Sequence, residues 1–340
     1  MMMKNRKKIL YIGNNLTKKT KYNTTLILLS NLLQKESFQV IISSDKINKS
    51  YRLVDMSYAV FKCRKKVDYI LIDTYSTSNF YYALITSQLA RIFKIKYIPI
   101  LHGGNLPERL KSNTLLSSLI FKNSYKNIAP SNYLKEAFEG YGYKTEFIPN
   151  ILEIENYNYK IRKIIKPRLL WVRAFKEIYN PTMAIRVLKL LKKKYPDATL
   201  CMVGPFVDDT YEQTKKLINK FNLQDSVELT GVLLKEQWHK RSEEFDIFIN
   251  TTNFDNTPVS VMEVMALGLP VVSTNVGGLP FLIKDKFDGL LVPPLSPQLM
   301  VASIINILNA EHPNISLNAR KKVEQFSWEN NREKWLKILK

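Results

Sequence analysis

Cysteine is scarce in this chain: Cys63 and Cys201 are the only two, far apart and outside any metal-type spacing. They form no disulfide framework and suit a reducing compartment. Histidine is limited to His102, His239 and His312, and no Asp-x-Asp tripeptide occurs. No His, Cys and Asp cluster has ligand spacing, so the sequence offers no metal site. No run approaches the ~18 apolar residues of a spanning helix. The opening MMMKNRKKILYIGNN begins like a signal peptide, but its apolar run 9–12 is short and enters a glycine turn, so it reads as a first strand. The expectation is a cytoplasmic protein, soluble or peripheral on the inner face of a membrane.

Acidic residues are also short, 30 against 51 Lys and Arg, for a net charge of +21. Residues 1–160 hold 25 basic and 11 acidic residues (+14), and residues 161–340 hold 26 and 19 (+7). A basic half suits nucleic acid, an anionic membrane face or an anionic substrate, or is simply a solvated lysine-rich surface. The charges are scattered and accompany no RNA-binding motif, so no nucleic-acid partner is expected. What remains is a possible peripheral contact of the first half with an anionic membrane or acceptor.

A chain of 340 residues suits two domains. Short apolar runs alternate with helical patterns. Strands are expected at 8–13, 38–44, 68–73, 96–102, 126–130 and 144–149, with helices at 24–35, 79–93 and 132–141 between them. After a Tyr/Asn stretch and a basic run, a second series begins: strands at 168–173, 198–204, 227–231, 246–251 and 270–274, helices at 182–194, 209–221, 235–245 and 259–267. Such alternation implies parallel sheets with right-handed crossovers, and functional residues at the carboxyl ends of strands. The fold class is α/β with two Rossmann-like domains: 1–158 on the acceptor side, a linker at 159–167, and 168–325 for the nucleotide. A closing helix at 326–340, carrying Trp328 and Trp335, would cross back to the first domain or pack on the second.

The densest chemistry lies in FDNTPVSVMEVMALGLPVVSTNVGGLPFL, residues 254–282. Asp255 and Glu263 stand eight apart. The Asn256-Thr257-Pro258 turn leads into a helix with Pro258 at its first position and Val259 beside it. A buried strand then runs into Val276-Gly277-Gly278. Unpaired N–H groups at a helix start carry partial positive charge and attract phosphate. An acid one turn further in can take ribose hydroxyls. A nucleotide diphosphate is expected, its phosphates at the helix start and its ribose on Glu263.

This stretch resembles the acid-x7-acid signature of the family 4 (group 1) retaining glycosyltransferases, through Glu263, Met265, Ala266, Gly268, Pro270, Val271, Val272, Thr274, Gly277 and Gly278. The first acid is Asp255 where that family has Glu. The resemblance implies the GT-B fold, two domains facing across a cleft, and a metal-independent transferase of hexosyl type. It implies a nucleotide-diphospho-sugar donor, a glycan or lipid-linked acceptor, and a role in cell-surface polysaccharide or lipopolysaccharide synthesis. No cofactor is expected, because the nucleotide sugar is a substrate. In that family an Arg and a Lys grip the diphosphate. Arg173 matches the first. The second falls on Ile178-Tyr179-Asn180, so either Lys176 substitutes or Arg173 and the helix start act alone. The resemblance also implies a turn at Gly204 near the nucleotide, a base-lining segment at 227–234, and a His beside the donor sugar, here His102. It puts a glycine-rich approach to the donor at Gly13-Asn14-Asn15-Leu16-Thr17, where this chain has one glycine. The lysines at 18–21 could meet an anion or only solvent. The implied catalytic set is His102, Arg173 and Asp255; His239 and His312 read as structural. Two other readings stay open: a sugar-nucleotide epimerase of the same fold, and a non-catalytic basic protein that binds nucleic acid or an anionic membrane.

Overall fold

Runs such as Ile9-Leu10-Tyr11-Ile12 and Tyr69-Ile70-Leu71-Ile72 are apolar throughout and almost wholly removed from water. Strands without polar alternation belong to sheets covered on both faces, and both sheets here are of that kind. The structure, a computed structural model, describes residues 6–15 and 24–340. Leu16, Thr17 and the lysine run at 18–21 lie outside the described residues.

The first unit comprises Met1–Ile151 and Trp328–Lys340. Its elements run β1 (Lys8–Ile12), α1 (Thr25–Lys35), β2 (Gln39–Ser43), α2 (Lys49–Cys63), β3 (Tyr69–Thr74), α3 (Phe80–Ile92), β4 (Lys96–Leu101), α4 (Leu106–Ser112), α5 (Thr114–Phe121), β5 (Asn127–Ala129), α6 (Asn132–Gly140) and β6 (Thr145–Phe147). The six strands pair in parallel in the order β2-β1-β3-β4-β5-β6. Helix starts are set by short polar side chains that accept otherwise orphaned N–H groups: Asn48 Oδ1 from Ser50 and Tyr51, and Ser131 Oγ from Leu134. Helix α2 was not expected. Its apolar residues lie on two faces, Met56, Val60 and Cys63 inward and Tyr51, Val54, Tyr58 and Phe61 outward, so no single stripe marks it.

The second unit, Leu152–Ser327, repeats the plan. It runs β7 (Arg168–Val172), α7 (Pro181–Leu191), β8 (Thr199–Val203), α8 (Thr210–Lys220), β9 (Val227–Gly231), α9 (Lys235–Arg241), β10 (Ile247–Asn250), α10 (Val259–Ala266), β11 (Val271–Thr274), α11 (Leu279–Leu282), β12 (Leu290–Val292), α12 (Pro297–Leu308) and α13 (Ile315–Glu324). Its six parallel strands follow the order β12-β11-β10-β7-β8-β9. Trp171 at the sheet centre is fully buried, and its indole N–H donates to Thr251 Oγ1 at 3.0 Å. The last helix, α14 (Trp328–Leu339), belongs to the first unit, where Trp328, Trp335, Ile338 and Leu339 pack with Ile9, Tyr11 and Leu33.

The chain leaves the first unit between Ile151 and Leu152, ahead of the linker expected at 159–167. The reason is that residues 152–167 are built into the second unit. Tyr157 is buried there. Arg162 donates to the carbonyls of Phe245 (2.9 Å) and Ser242 (3.1 Å), and burial lowers its guanidinium to about 10. Gly268 has φ +80°, and a Cβ on it would stand 2.7 Å from the Lys160 carbonyl. The glycine of the 254–282 stretch thus makes room for the very segment that was read as a linker.

Candidate active site

At the carboxyl end of β7 the backbone N–H of Arg173 donates to the Val203 carbonyl at 2.9 Å. Gly204, after β8, lies so close that a Cβ would come within 1.8 Å of the Arg173 carbonyl oxygen, at φ +149°. Only glycine permits that approach. The Arg173 guanidinium donates from Nη2 to Asp255 Oδ2 at 2.6 Å and lies 4.9 Å from the Tyr179 ring centre. Its Nε is shielded from water without a protein partner.

The turn before α10 is fixed from behind by the double glycine. Gly278 N–H donates to the Asp255 carbonyl at 2.9 Å. A Cβ on Gly277 would meet the Asp255 carbonyl at 2.0 Å, and one on Gly278 the Asn256 carbonyl at 2.0 Å. Gly277 also has φ +54°. Asp255 Oδ1 accepts the Asn256 N–H at 2.8 Å. Pro258 is the N-cap (φ −67°, ψ 116°), not the first helical residue as expected. Its extended ψ keeps it outside the helix, while its carbonyl accepts from Val261 (3.1 Å) and Met262 (3.2 Å). The hydroxyls of Thr257 and Ser260, on either side of the helix start, are shielded from solvent and have no protein partner. Free helical N–H groups and two unpartnered hydroxyls make an anion-accepting end.

One turn further in, Glu263 is buried. Its Oε1 accepts from the Tyr157 hydroxyl (3.0 Å) and pairs with Lys235 Nζ (2.8 Å). His239 Nε2 stands 4.0 Å away without a hydrogen-bond partner. Burial, with the Lys235 charge behind it, lowers the His239 imidazole to about 3. The ring is therefore neutral at pH 7. Tyr157 is pushed well above the usual phenol value, first by burial and then by the Glu263 charge, so it stays a donor.

In the first unit a second cluster forms where β1, β3 and β4 end. Asp73 is buried. Its Oδ1 accepts from His102 Nε2 (2.9 Å) and from the Tyr11 hydroxyl (3.0 Å). The Tyr75 ring stacks on His102 with centres 5.5 Å apart. A side chain on Gly13 would strike this group, since its Cβ would fall 2.4 Å from Asp73 Oδ2. Asn14 accepts from Arg52 Nη1 at 2.8 Å, which ties the first loop to α2.

The sequence pattern of the family described as glycosyl transferases group 1 matches residues 160–326, nearly the whole second unit. That unit belongs to the group 1 glycosyltransferases. The amylovoran biosynthesis glycosyltransferase AmsK of Erwinia amylovora is 31% identical over 183 residues, 51% of this chain and 44% of that protein. A putative colanic acid biosynthesis glycosyltransferase, WcaL of Salmonella typhimurium, is 29% identical over 132 residues, 36% of this chain and 32% of WcaL. These matches span less than half of the relatives' lengths. Among solved structures, a sucrose-phosphate synthase from Thermosynechococcus elongatus superposes with a TM-score of 0.82 at 17% identity, covering 98% of both chains. HepE of Anabaena, solved in complex with UDP, does so at 0.75 and 17%, covering 98% of this chain and 99% of its own. At such identities the likeness concerns the fold, which is that of GT-B enzymes.

Within this group 1 glycosyltransferase unit the structure brings Arg173, Gly204, Asp255, Asn256, Thr257, Pro258 and Val259 to adjoining strand ends and one helix start, with Glu263 a turn below. Lys176 is exposed ahead of the short turn Glu177–Tyr179, and its charge is felt by Asp208. His102 and Gly13 lie together in the first unit. Sequence reasoning missed Tyr157, Lys235 and Asp73. It took His239 as structural; the ring is buried, but it borders the Glu263 carboxylate. Among the described residues no group of three His, Cys, Asp or Glu side chains could hold a metal ion.

Proposed function

We propose that the chain is a retaining hexosyltransferase. It moves a sugar from a nucleotide-diphospho-sugar to a glycan or lipid-linked acceptor, in the synthesis of a cell-surface polysaccharide or lipopolysaccharide. The observation that carries this reading is the helix start at Thr257–Ser260, with its two unpartnered hydroxyls, directly above the buried Glu263 and within the segment of family resemblance. Phosphate oxygens would meet the free N–H groups, Thr257, Ser260 and Arg173; the ribose hydroxyls would meet Glu263. Asp255 holds Arg173 in place and would exchange that partner for the donor. As the sugar–phosphate bond breaks, charge grows on the leaving diphosphate, and fixed positive groups there lower the barrier most. No divalent ion is invoked, since the chain has no Asp-x-Asp tripeptide and Arg is a permanent phosphate partner. His102, oriented by Asp73, would serve the sugar side of the reaction. The polysaccharide setting is supported by relatives such as AmsK. A lipid-linked acceptor is supported by a 23% identical Escherichia coli relative, over 53% of this chain, whose name gives a diphosphoundecaprenol-linked acceptor.

The test is a thermal-shift panel of UDP, GDP and their sugars with EDTA present, followed by product analysis with and without acceptors. A ligand at 100 times its Kd should stabilise by ~2.7 kcal/mol, or roughly 5–10 °C for a unit of this size. Absence of any shift across the panel would sink the donor assignment. Conversion of the donor without an acceptor would replace transfer by epimerisation. A shift or turnover that EDTA abolishes and Mg²⁺ restores would overturn the metal-free reading.

A further inference from the structure

Helix α2 is covered on one face and bare on the other. Its inner residues Arg52, Met56 and Val60 are at most 4% exposed. On the outer face, Tyr51 is 71% exposed, Val54 65%, Tyr58 59% and Phe61 49%, with Ile47 at 65% just ahead of the helix. The spacing 51, 54, 58, 61 puts the four side chains in one stripe. Ile47, Tyr51, Val54 and Tyr58 line a shallow groove that also takes in Lys46, Asn48 and Asp55. Helix α3 lies alongside, with Tyr82 Oη donating to the Lys49 carbonyl (3.1 Å) and the Phe61 and Phe93 rings 6.1 Å apart. It adds Tyr81, Ile85 and Ile92 to the exposed apolar set. An aromatic stripe on a folded unit is not needed for its core and calls for an occupant.

The surroundings name that occupant. Lys46 and Lys49 stand exposed at the start of the helix and Lys62, Lys65 and Lys66 at its end, with Arg64 over the Phe61 ring at 4.0 Å. From 45 to 66 the only acids are Asp45 and Asp55, and Asp55 accepts from Ser43 Oγ at 3.3 Å. Tyrosine and phenylalanine flanked by lysine and arginine are the side chains that settle at the boundary between lipid headgroups and acyl chains. A second copy of the chain would bring two lysine clusters together, and like charges oppose that pairing. We infer that the outer face of α2 is a membrane-docking surface: Tyr51, Val54, Tyr58 and Phe61 enter the headgroup region, and the flanking lysines engage anionic phospholipid. This surface is independent of the nucleotide site and goes beyond the transferase reading.

Flotation with phosphatidylcholine vesicles, with and without phosphatidylglycerol, tests it on the full chain. Wild type should float with anionic vesicles and retain part of that binding at high salt. The triple variant Lys62→Gln, Lys65→Gln, Lys66→Gln should lose about fivefold in partitioning per lysine at low salt. The pair Tyr58→Ser, Phe61→Ser should lose about tenfold, and its remaining binding should vanish at high salt. Separately, Tyr58→Trp should be quenched by lipids with brominated acyl chains. The nucleotide-induced melting shift, read in parallel, should be the same in every variant, so that loss of docking is told apart from loss of the donor site. Wild type that does not float, stripe variants that float unchanged, or an unquenched Tyr58→Trp would overturn the inference. So would a wild-type dimer that the stripe variant converts to monomer.

Discussion

The bond between Tyr157 and Glu263 offers the sharpest test of the site, because a residue outside the family signature holds the signature acid. Tyr157→Phe removes one hydroxyl and leaves the ring, which keeps its contacts with His239 (centres 4.8 Å apart) and Lys235 (5.0 Å). No cavity is opened. Glu263 Oε1 then retains only Lys235, whose side chain is 43% exposed. A pair open to water on one side contributes little, so the 3.0 Å bond from Tyr157 is the buried part of the anchorage. Losing a hydrogen bond to a buried carboxylate costs about 1.5–3 kcal/mol. For the second unit this is a melting shift of roughly 4–10 °C. Glu263→Gln keeps the shape and removes the charge, so a cycle of the two single variants and the double should show about 1 kcal/mol of coupling, the difference between a charged and a neutral bond. The assay is chemical denaturation of all four proteins, repeated with a nucleotide ligand. Nucleotide affinity should fall in both singles, more in Glu263→Gln. Single-variant losses that add within ~0.3–0.5 kcal/mol would refute the reasoning.

Arg173→Ala should reduce turnover by two orders of magnitude or more, the scale of a lost transition-state charge partner, and Lys176→Ala far less; steady-state kinetics decide between them, and a worse Lys176 variant would reverse the assignment of the basic pair. Stability should fall in acid through His239. Its folded value of about 3 lies below the unfolded ~6.5. Between those values the unfolded chain binds the extra proton, so this contribution is intact above about pH 6.5 and is lost as pH falls towards 3. His239→Gln should flatten that slope in urea midpoints measured between pH 7 and pH 4.

Strands were legible because both sheets are covered on two faces, so β1, β3, β7 and β10 each carry an unbroken apolar run. Helices that bury a single stripe, such as α1 and α7, were legible for a related reason. Helix α2 escaped because it is apolar on two opposite faces, and β12, α12 and α13 because no signature accompanies them. Helix α9 stops at Arg241, short of the expected 245, where the chain tightens into the turn Ser242–Glu244. Within the site, the signature disclosed the residues contiguous in sequence: Asp255, the α10 start, Glu263 and the double glycine. The neighbours of Glu263 come from positions 157, 235 and 239, and Asp73 reaches His102 across 29 residues. Such meetings depend on which strands become neighbours, and local pattern carries no trace of that. The linker was misplaced because the polar stretch 156–166 resembles solvated chain, whereas Tyr157 and Arg162 are anchored by tertiary bonds.

The first unit is discontinuous in the chain. Its sheet is complete by residue 147, yet the cluster around Ile9, Tyr11 and Leu33 also takes in Trp328, Trp335, Ile338 and Leu339 of α14, and Arg332 clasps Glu36, just past the end of α1, through Nε (2.5 Å) and Nη2 (2.6 Å). Between these two pieces lies the whole second unit, Leu152–Ser327. During synthesis the ribosome therefore delivers the inserted unit in full before the host can finish its own core. The early sheet must wait, partly uncovered, through the translation of 176 further residues (327 − 151). At ~5–20 residues per second that interval is on the order of ten seconds or more. A chain truncated after Ser327 should hold a folded second unit and a protease-sensitive first unit, and the chain that includes Trp328–Lys340 should lose that sensitivity. The order of assembly is written into the connectivity: the guest matures first, and the final turn of helix seals the host.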